Sequence, residues 1–348
     1  MFHSRPNQSL GEIVVKHSIA FSSVALLFAA GSALAQAPAQ QPAQPQPYRV
    51  GTPLGATNEA GQQKTMSSNV KVYGSFHFAE SCTFDPDRNV ILAMNAGNPR
   101  DVANPPVAGS PPALTPNDGF VSLINPDGSV HTSKWIGVTR DGLTLVHPLG
   151  SAIQGGTLYV NDGNYIRTFD LKAGTPKQAF EVREAVNLNG IGVAPDGTMY
   201  ASNTGSATQP ENKQRIYKVT PSGQSSVFVD GAPLNLPNGV AIDTDGNIVV
   251  VNIGTKDVIT FSPAGQVVRT EQAAEAGNDG VVVLADGTKY VSSVRFGSVS
   301  RIRRDQPAEV IATGIPSAAS MCYDSRQNQL VIPMNPNNAL AFIPLGRR

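Results

Sequence analysis

The chain has 348 residues, with 26 basic and 26 acidic side chains and only 15% charged residues overall. This zero net charge argues against nucleic acid or an anionic membrane surface as the main partner, since neither would attract the protein electrostatically. The 33 glycines and 27 prolines favour many short strands joined by tight turns. Two cysteines are too few for a disulfide framework or a cysteine-based zinc site.

The N-terminus has the features of a secretory signal. An apolar run over residues 19–35 follows Arg5 and Lys16 and ends in the small residues Ala33-Leu34-Ala35, which fits a cleavage pattern. We therefore expect residues 1–35 to be a signal peptide and the mature protein to be periplasmic or secreted, with no membrane span. The alternative is an uncleaved membrane anchor, for which the run is short.

A Pro/Gln-rich linker is predicted over residues 36–69, because the composition of residues 36–48 cannot bury apolar surface. The folded domain is expected to begin between Gly51 and Val70. Residues 70–78 alternate as a strand but belong to no neighbouring hairpin. We expect this strand to pair with the C-terminal part of the chain.

Internal repetition is the most informative pattern in the chain. Three segments begin with a polar residue followed by glycine, and each reaches an Asp-Gly pair seven residues later. They start at Asn189, Asn238 and Asp279. An Asp-Gly pair between two apolar runs predicts a hairpin, because glycine accepts a positive φ without steric cost.

The same register extends to six units, and most of them span roughly forty residues, as propeller blades do. The leading positions of the six units are Glu80, Pro148, Asn189, Asn238, Asp279 and Ala319. The sequence therefore predicts an all-β fold, a six-bladed β-propeller over residues 70–348, closed by the strand at residues 70–78. A two-sheet sandwich is the alternative, but it does not explain why one register repeats along the chain.

The leading residues of all blades should converge at one end of a central channel. Two carboxylates and two amides would make an oxygen-rich site there, which suits a hard cation. The alternative is that each Asn or Asp before glycine is an ordinary turn residue. The expected cofactor is one divalent cation, with calcium favoured and zinc, manganese or magnesium as alternatives.

The order Glu, neutral, Asn, Asn, Asp, neutral resembles the senescence-marker-protein/gluconolactonase family, which includes regucalcin-like lactonases. The segments Leu236-Pro-Asn238-Gly and Asn278-Asp279-Gly resemble family motifs. The resemblance implies that Glu80, Asn238 and Asp279 hold one divalent metal, with Asn189 near the metal or its bound water. The sequence departs from the family pattern at Glu80-Ser-Cys-Thr-Phe, where the family has Glu-Gly-Pro-x-Trp. It also has no evident counterpart of the arginine that binds substrate in some sugar-lactone members.

The function that follows from the resemblance is metal-dependent hydrolysis of a small-molecule lactone or ester, sugar lactones included, by a monomer. Asp279 is the candidate general base and Asn189 the candidate substrate-binding residue. A non-catalytic propeller of the NHL-repeat type, which binds a ligand or a protein, is the main alternative. A strictosidine-synthase-like or lyase reaction is a third, for which no specific residue stands out.

Three further features lead to separate expectations. Cys82 and Cys322 are expected to be two buried thiols, because equivalent points on neighbouring blades are usually too far apart for a bridge. A disulfide that closes the ring in an oxidising compartment is the alternative. His147 is expected to be structural. The Pro-rich insertion over residues 95–117 and the loop over residues 204–213 are expected to form the rim of the site. A passive surface insertion is the alternative.

Overall fold

The computed structural model describes residues 55–74, 76–97, 118–138, 142–206 and 211–346. Apart from a short 3₁₀ helix, Asn335–Asn337, the elements in these ranges are all β-strands. Within the same ranges, the chain contains no helix with the length and hydrophobicity needed to cross a bilayer. The predicted signal peptide, residues 1–35, lies outside the described residues.

Six four-stranded antiparallel sheets follow one another along the chain and form the six blades of a β-propeller. The predicted fold class is therefore confirmed. The strands before the first blade are β1 (Gly55–Thr57), β2 (Gln63–Thr65) and β3 (Lys71–Tyr73). Blade 1 comprises β4 (Ala79–Asp85), β5 (Val90–Asn95), β6 (Phe120–Ile124) and β7 (Val130–Ile136). Blade 2 comprises β8 (Pro148–Gln154), β9 (Thr157–Asp162), β10 (Tyr165–Asp170) and β11 (Pro176–Glu181).

The next three blades repeat the same four-strand order. Blade 3 comprises β12 (Leu188–Val193), β13 (Met199–Asn203), β14 (Arg215–Val219) and β15 (Ser225–Asp230). Blade 4 comprises β16 (Pro237–Ile242), β17 (Ile248–Asn252), β18 (Asp257–Phe261) and β19 (Val267–Gln272). Blade 5 comprises β20 (Asn278–Val283), β21 (Lys289–Ser293), β22 (Ser298–Ile302) and β23 (Glu309–Ala312).

Blade 6 joins the two ends of the propeller. It comprises β24 (Cys322–Asp324), β25 (Gln329–Met334), β26 (Ala339–Pro344) and the N-terminal strand β3. The outer position of β3 is held by antiparallel pairs such as Tyr73 with Leu340 and Lys71 with Phe342. The expected closure by the strand near residue 70 is observed, and it ties the N-terminal strand to the last blade of the ring.

Buried side chains are concentrated on the second strand of each blade, where both faces of the sheet are covered by neighbouring blades. Every residue of β5, β17 and β21 is buried, whereas the outermost strands β11 and β19 are mostly exposed. Continuous apolar runs are typical of strands buried on both faces. This packing makes the inner strands a rigid frame for the channel.

The register of blade 2 differs by one residue from the sequence prediction. Leu149, not Pro148, occupies the position equivalent to Asn189 and Asn238, because Pro148 pairs with the second strand as Leu188 does. The hairpin between β8 and β9 turns through residues 155–156 alone, whereas the corresponding turn of blade 3 spans residues 194–198. The leading position of blade 2 was predicted by counting back from this turn, so the shorter turn moved the predicted position by one residue. The leading position of blade 2 remains neutral.

The two cysteines form a disulfide, so the expectation of two separate thiols was wrong. Cys82 on β4 and Cys322 on β24 are bonded, with their Cα atoms 5.4 Å apart. That Cα separation lies within the range that a disulfide requires. The two cysteines are not equivalent residues, because Cys82 lies two residues after Glu80 and Cys322 lies three residues after Ala319. Innermost strands converge toward the channel, so such residues of blades 1 and 6 come closer there than they would at the blade edges. The disulfide joins the first and last blades of the ring.

Candidate functional site

The leading residues are placed by an irregularity that recurs in the innermost strands. In β12, β16 and β20 the ladder to the second strand shifts register between the residue before the leading position and the residue two after it. A bulge of this kind releases residues from regular pairing and redirects their side chains. Asn189, Asn238 and Asp279 all lie at such shifts. The leading residues are therefore strand residues, and the alternative that they are ordinary turn residues does not hold.

In blades 2 to 5 the residue after the leading position is glycine, and close packing between blades requires it. A Cβ built on Gly190 would lie 2.2 Å from the carbonyl oxygen of Asn238, and one built on Gly239 would lie 2.5 Å from that of Asp279. Side chains cannot be accommodated at these separations without moving the backbone. The Asn-Gly and Asp-Gly pairs that predicted the site thus reflect contact between successive blades.

Side chains of the second strands hold the leading residues of the next blade. Asn161 Nδ2 donates to the carbonyl oxygen of Asn189 at 2.7 Å, and Ser202 Oγ donates to that of Asn238 at 2.6 Å. Ser292 Oγ donates to the carbonyl oxygen of Ala319 at 2.7 Å. These buried bonds cross from one blade to the next, so the ring positions each leading residue through its neighbour. The sequence pattern alone did not predict these bonds.

Polar residues at the ends of second strands are another repeat that the sequence analysis missed. Asn95, Asp162, Asn203 and Asn252 each accept a hydrogen bond from the backbone N–H of the segment that leads into an inner strand. This repeat is visible in the sequence as an Asn or Asp at the end of the second apolar run of a blade. These residues are structural, because their side-chain oxygens satisfy buried backbone donors.

The structure brings Glu80, Asn238 and Asp279 into one buried cluster. Their exposed fractions are 4%, 2% and 4%. Asn238 Nδ2 lies 3.4 Å from Asp279 Oδ2, and the charges of Glu80 and Asp279 interact across blade 6. No Lys, Arg or His among the described residues forms an ion pair with either carboxylate.

Burial makes the two carboxyl groups unusually difficult to ionise. Desolvation, followed by repulsion from Asp279, raises the pKa of Glu80 well above its ordinary value. Desolvation also raises the pKa of Asp279 to about 7, although the hydroxyl and the backbone N–H of Ser320 oppose the increase. Two anions in such a site require a proton or a cation for balance.

The donor set fits a divalent cation that prefers oxygen ligands. Glu80 Oε2, Asn189 Oδ1 and Asn238 Oδ1 are buried and have no hydrogen-bond partner in the structure. Uncompensated buried oxygens are costly, and a bound cation would compensate them. No group of three or more His, Cys, Asp and Glu side chains that could hold a metal occurs in the described ranges, so the site depends on amides as well as carboxylates.

His147 lies between blades 1 and 2. Its Nδ1 is 2.9 Å from the carbonyl oxygen of Ala96, and burial lowers its pKa although this contact opposes the change. Its backbone N–H donates to Asp162 Oδ1 at 2.6 Å. These contacts agree with the structural role expected for His147.

A small cavity of about 60 Å³ lies on the propeller axis, beside the leading residues. Its wall is made by the two residues that follow each leading position, among them Ser81, Gly150, Gly190, Gly239, Gly280 and Ser320. A larger groove of about 760 Å³ lies between the outer strands β11 and β15. Neither wall includes a leading residue, but the wall of the axial cavity is formed by the residues that directly follow them. Because the buried carboxylates and amides lie beside the axial cavity, we take that cavity and not the larger groove as the candidate site.

The hairpin of β1 and β2 packs on the loops of blades 4 and 5 at the end where the leading residues lie. Glu59 Oε2 pairs with Lys256 Nζ at 2.8 Å, and the Glu59 N–H donates to Glu275 Oε1 at 3.3 Å. Ser67 and Thr313 exchange backbone and hydroxyl hydrogen bonds. Residues 55–69 were expected to belong to the linker, and the hairpin lies among them. The rim insertion expected over residues 95–117 falls largely outside the described residues.

Comparison of the fold with solved structures identifies similar propellers. A gluconolactonase from Xanthomonas campestris is 18% identical with a TM-score of 0.55, over 88% of this chain and 99% of that one. A candidate gluconolactonase is 15% identical with a TM-score of 0.54, over 84% and 97% of the two chains. A streptogramin B lyase is 12% identical with a TM-score of 0.50, over 80% and 89%. At these identities the likeness is one of fold.

The sequence itself gives a more specific relationship. No curated protein sequence matches the chain. The model of the SMP-30/gluconolactonase/LRE-like region matches residues 121–333, which is more than half of the chain and includes three of the four proposed site residues. The chain belongs to the SMP-30/gluconolactonase/LRE-like family.

Proposed function

We propose that the protein is an exported, divalent-cation-dependent hydrolase of lactones. The observation that carries the proposal is the buried cluster of Glu80, Asn238 and Asp279, with two carboxylates that no basic side chain of the described residues neutralises. Membership of a family that includes gluconolactonases supports a lactonase-type reaction. Fold alone would not choose a reaction, so the proposal depends on the site.

Glu80, Asn238 and Asp279 would hold the cation through carboxylate and amide oxygens, with calcium as the favoured ion and zinc, manganese or magnesium as alternatives. When bound, the cation supplies a Lewis acid for the lactone carbonyl and lowers the pKa of water. Asn189 would orient the substrate through its side-chain amide, whose buried Oδ1 lacks a partner.

Asp279 is proposed as the general base. Its carboxylate would take a proton from the attacking water while the water oxygen bonds to the lactone carbonyl carbon. The ring C–O bond then breaks, and the proton returns from Asp279 to the departing alkoxide oxygen, which yields the hydroxy acid.

Small-molecule lactones, sugar lactones included, are the proposed substrates, and the enzyme is proposed to act as a monomer in the periplasm or outside the cell. The Cys82–Cys322 disulfide supports an oxidising compartment. The apolar run before Gln36 supports export.

The test combines metal analysis with kinetics on a panel of γ- and δ-lactones. Wild type, Glu80→Gln and Asp279→Asn would be compared with Glu309→Gln, a control on the exposed outer strand β23. We expect the wild type and the control to bind one divalent cation and open at least one lactone, and both site variants to lose this activity. Cation binding without turnover of any lactone would contradict the reaction. Full activity of Glu80→Gln or Asp279→Asn would contradict the site.

A further inference from the structure

Ser320 differs from its equivalents in the other blades. The residue after the leading position is glycine in blades 2 to 5, as at Gly239 and Gly280, and serine only in blades 1 and 6, at Ser81 and Ser320. A hydroxyl at this position lies next to the channel, where it can contact the leading residues.

Ser320 contacts the acidic cluster directly. Its hydroxyl donates to Asp279 Oδ1 at 3.1 Å, and Ser320 is buried, with an exposed fraction of 8%. Ser81 instead donates its hydroxyl to the carbonyl oxygen of Leu149, which belongs to the blade frame. The two serines therefore occupy equivalent positions with different partners.

The bond from Ser320 fixes one side of the Asp279 carboxylate. Asp279 Oδ1 accepts from Ser320, while Oδ2 faces Asn238 Nδ2 at 3.4 Å. With one oxygen held by each neighbouring blade, the carboxylate has little freedom to rotate about χ2. In contrast, Glu80 Oε2 has no donor. Groups that hydrogen-bond to ligating carboxylates orient them and tune their affinity for a metal.

We propose that Ser320 is a positioning residue that holds Asp279 in the orientation needed to bind the divalent cation. This inference rests on the proposed function, because it assumes that Asp279 is a cation ligand. Ser320 itself is placed beside the carboxylate and not on the cation or the substrate. Its loss should therefore weaken cation binding without removing any ligand.

The structure offers variants that separate positioning from packing. Ser320→Ala removes the hydroxyl, and Ser320→Gly introduces the residue that four other blades carry at this position. Ser320→Thr keeps a hydroxyl on the same carbon. Ser81→Ala is the matched control, since it removes a hydroxyl at the equivalent position of blade 1 that does not touch a carboxylate.

The experiment is calorimetric titration of the chelator-treated full-length proteins with Ca²⁺ and with Mn²⁺, together with their melting temperatures in the absence of cation. We expect Ser320→Ala and Ser320→Gly to bind about 10- to 100-fold more weakly, and Ser320→Thr and Ser81→Ala to bind nearly as the wild type does. The cation-free melting temperature of Ser320→Gly or Ser320→Ala should stay close to that of the wild type.

Three results would overturn the inference. Cation affinity that is unchanged in both Ser320→Ala and Ser320→Gly would show that the hydroxyl does not position Asp279, and the proposed function would stand. An equal loss in Ser81→Ala would show that the effect is one of packing in the channel wall. Absence of binding of Ca²⁺, Mn²⁺, Mg²⁺ and Zn²⁺ to the wild type, each titrated in the same way, would remove the cation site, and with it both the inference and the proposed function.

Discussion

Glu80 and Asp279 are buried carboxylates on two blades of the propeller, and each makes ionisation of the other less favourable. Blade 6 lies between them and contributes only Ser320 as a hydrogen-bond donor to Asp279. A fold that keeps two such groups together without a basic partner in the described residues is under electrostatic strain when it is cation-free.

Removal of divalent cations should destabilise the protein. Binding to the native state alone stabilises by about 2.7 kcal/mol when the free ligand is at 100 times its Kd. We expect excess chelator to lower the melting temperature by several degrees, and calcium to restore it. Differential scanning calorimetry of wild type and Glu80→Gln checks this, because the variant should respond to neither treatment. A wild-type melting temperature that is indifferent to chelator would contradict the prediction.

The stability of the cation-free protein should fall as pH rises. The pKa of Asp279, about 7, and that of Glu80 are raised in the folded state, so the folded state binds protons more tightly than the unfolded chain does. That contribution is fully present below the ordinary carboxyl pKa and is lost as pH rises through the raised values. Thermal unfolding with chelator should give a lower melting temperature at pH 8 than at pH 5.5. Asp279→Asn should reduce this difference in melting temperature between the two pH values. An equal difference in wild type and variant would contradict the prediction.

Loss of the Cys82–Cys322 disulfide should weaken the closure of the ring. The bond links residues separated by 240 positions, and disulfides typically contribute about 2–4 kcal/mol, more for long loops. We expect the double variant Cys82→Ala/Cys322→Ala to lower the free energy of unfolding by about this amount in urea titrations. Titration with a thiol reagent under denaturing conditions provides an independent measurement. Two reactive thiols in the wild type would contradict the disulfide.

Gly239→Ala should disrupt contact between blades 4 and 5. The new Cβ would lie 2.5 Å from the carbonyl oxygen of Asp279, and strain of this kind typically costs about 1–3 kcal/mol. The displaced backbone carries both Asn238 and Asp279, so cation affinity should fall together with stability. Gly74→Ala is the matched control, because its nearest neighbour is the carbonyl oxygen of Asn338 at 4.0 Å. Equal stability of the two variants in urea would show that the close approach is unimportant.

Much of the site could be predicted from the sequence because its residues follow a local rule. Asn189, Asn238 and Asp279 each precede glycine and an Asp-Gly hairpin at a constant distance, so the repeat could be followed without knowledge of the fold. Blade 2 did not follow that rule. Its turn over residues 155–156 is shorter, and the alignment selected Pro148 instead of Leu149.

Local hydrophobic pattern and turn chemistry were sufficient to predict the number of blades, the closure by the strand near residue 70, and the leading positions of every blade except blade 2. They could not predict which residues from distant repeats meet in the folded protein. The pairing of Cys82 with Cys322 and the bond from Ser320 to Asp279 both depend on how closely inner strands converge around the axis. That distance is set by packing between blades, which no single repeat encodes.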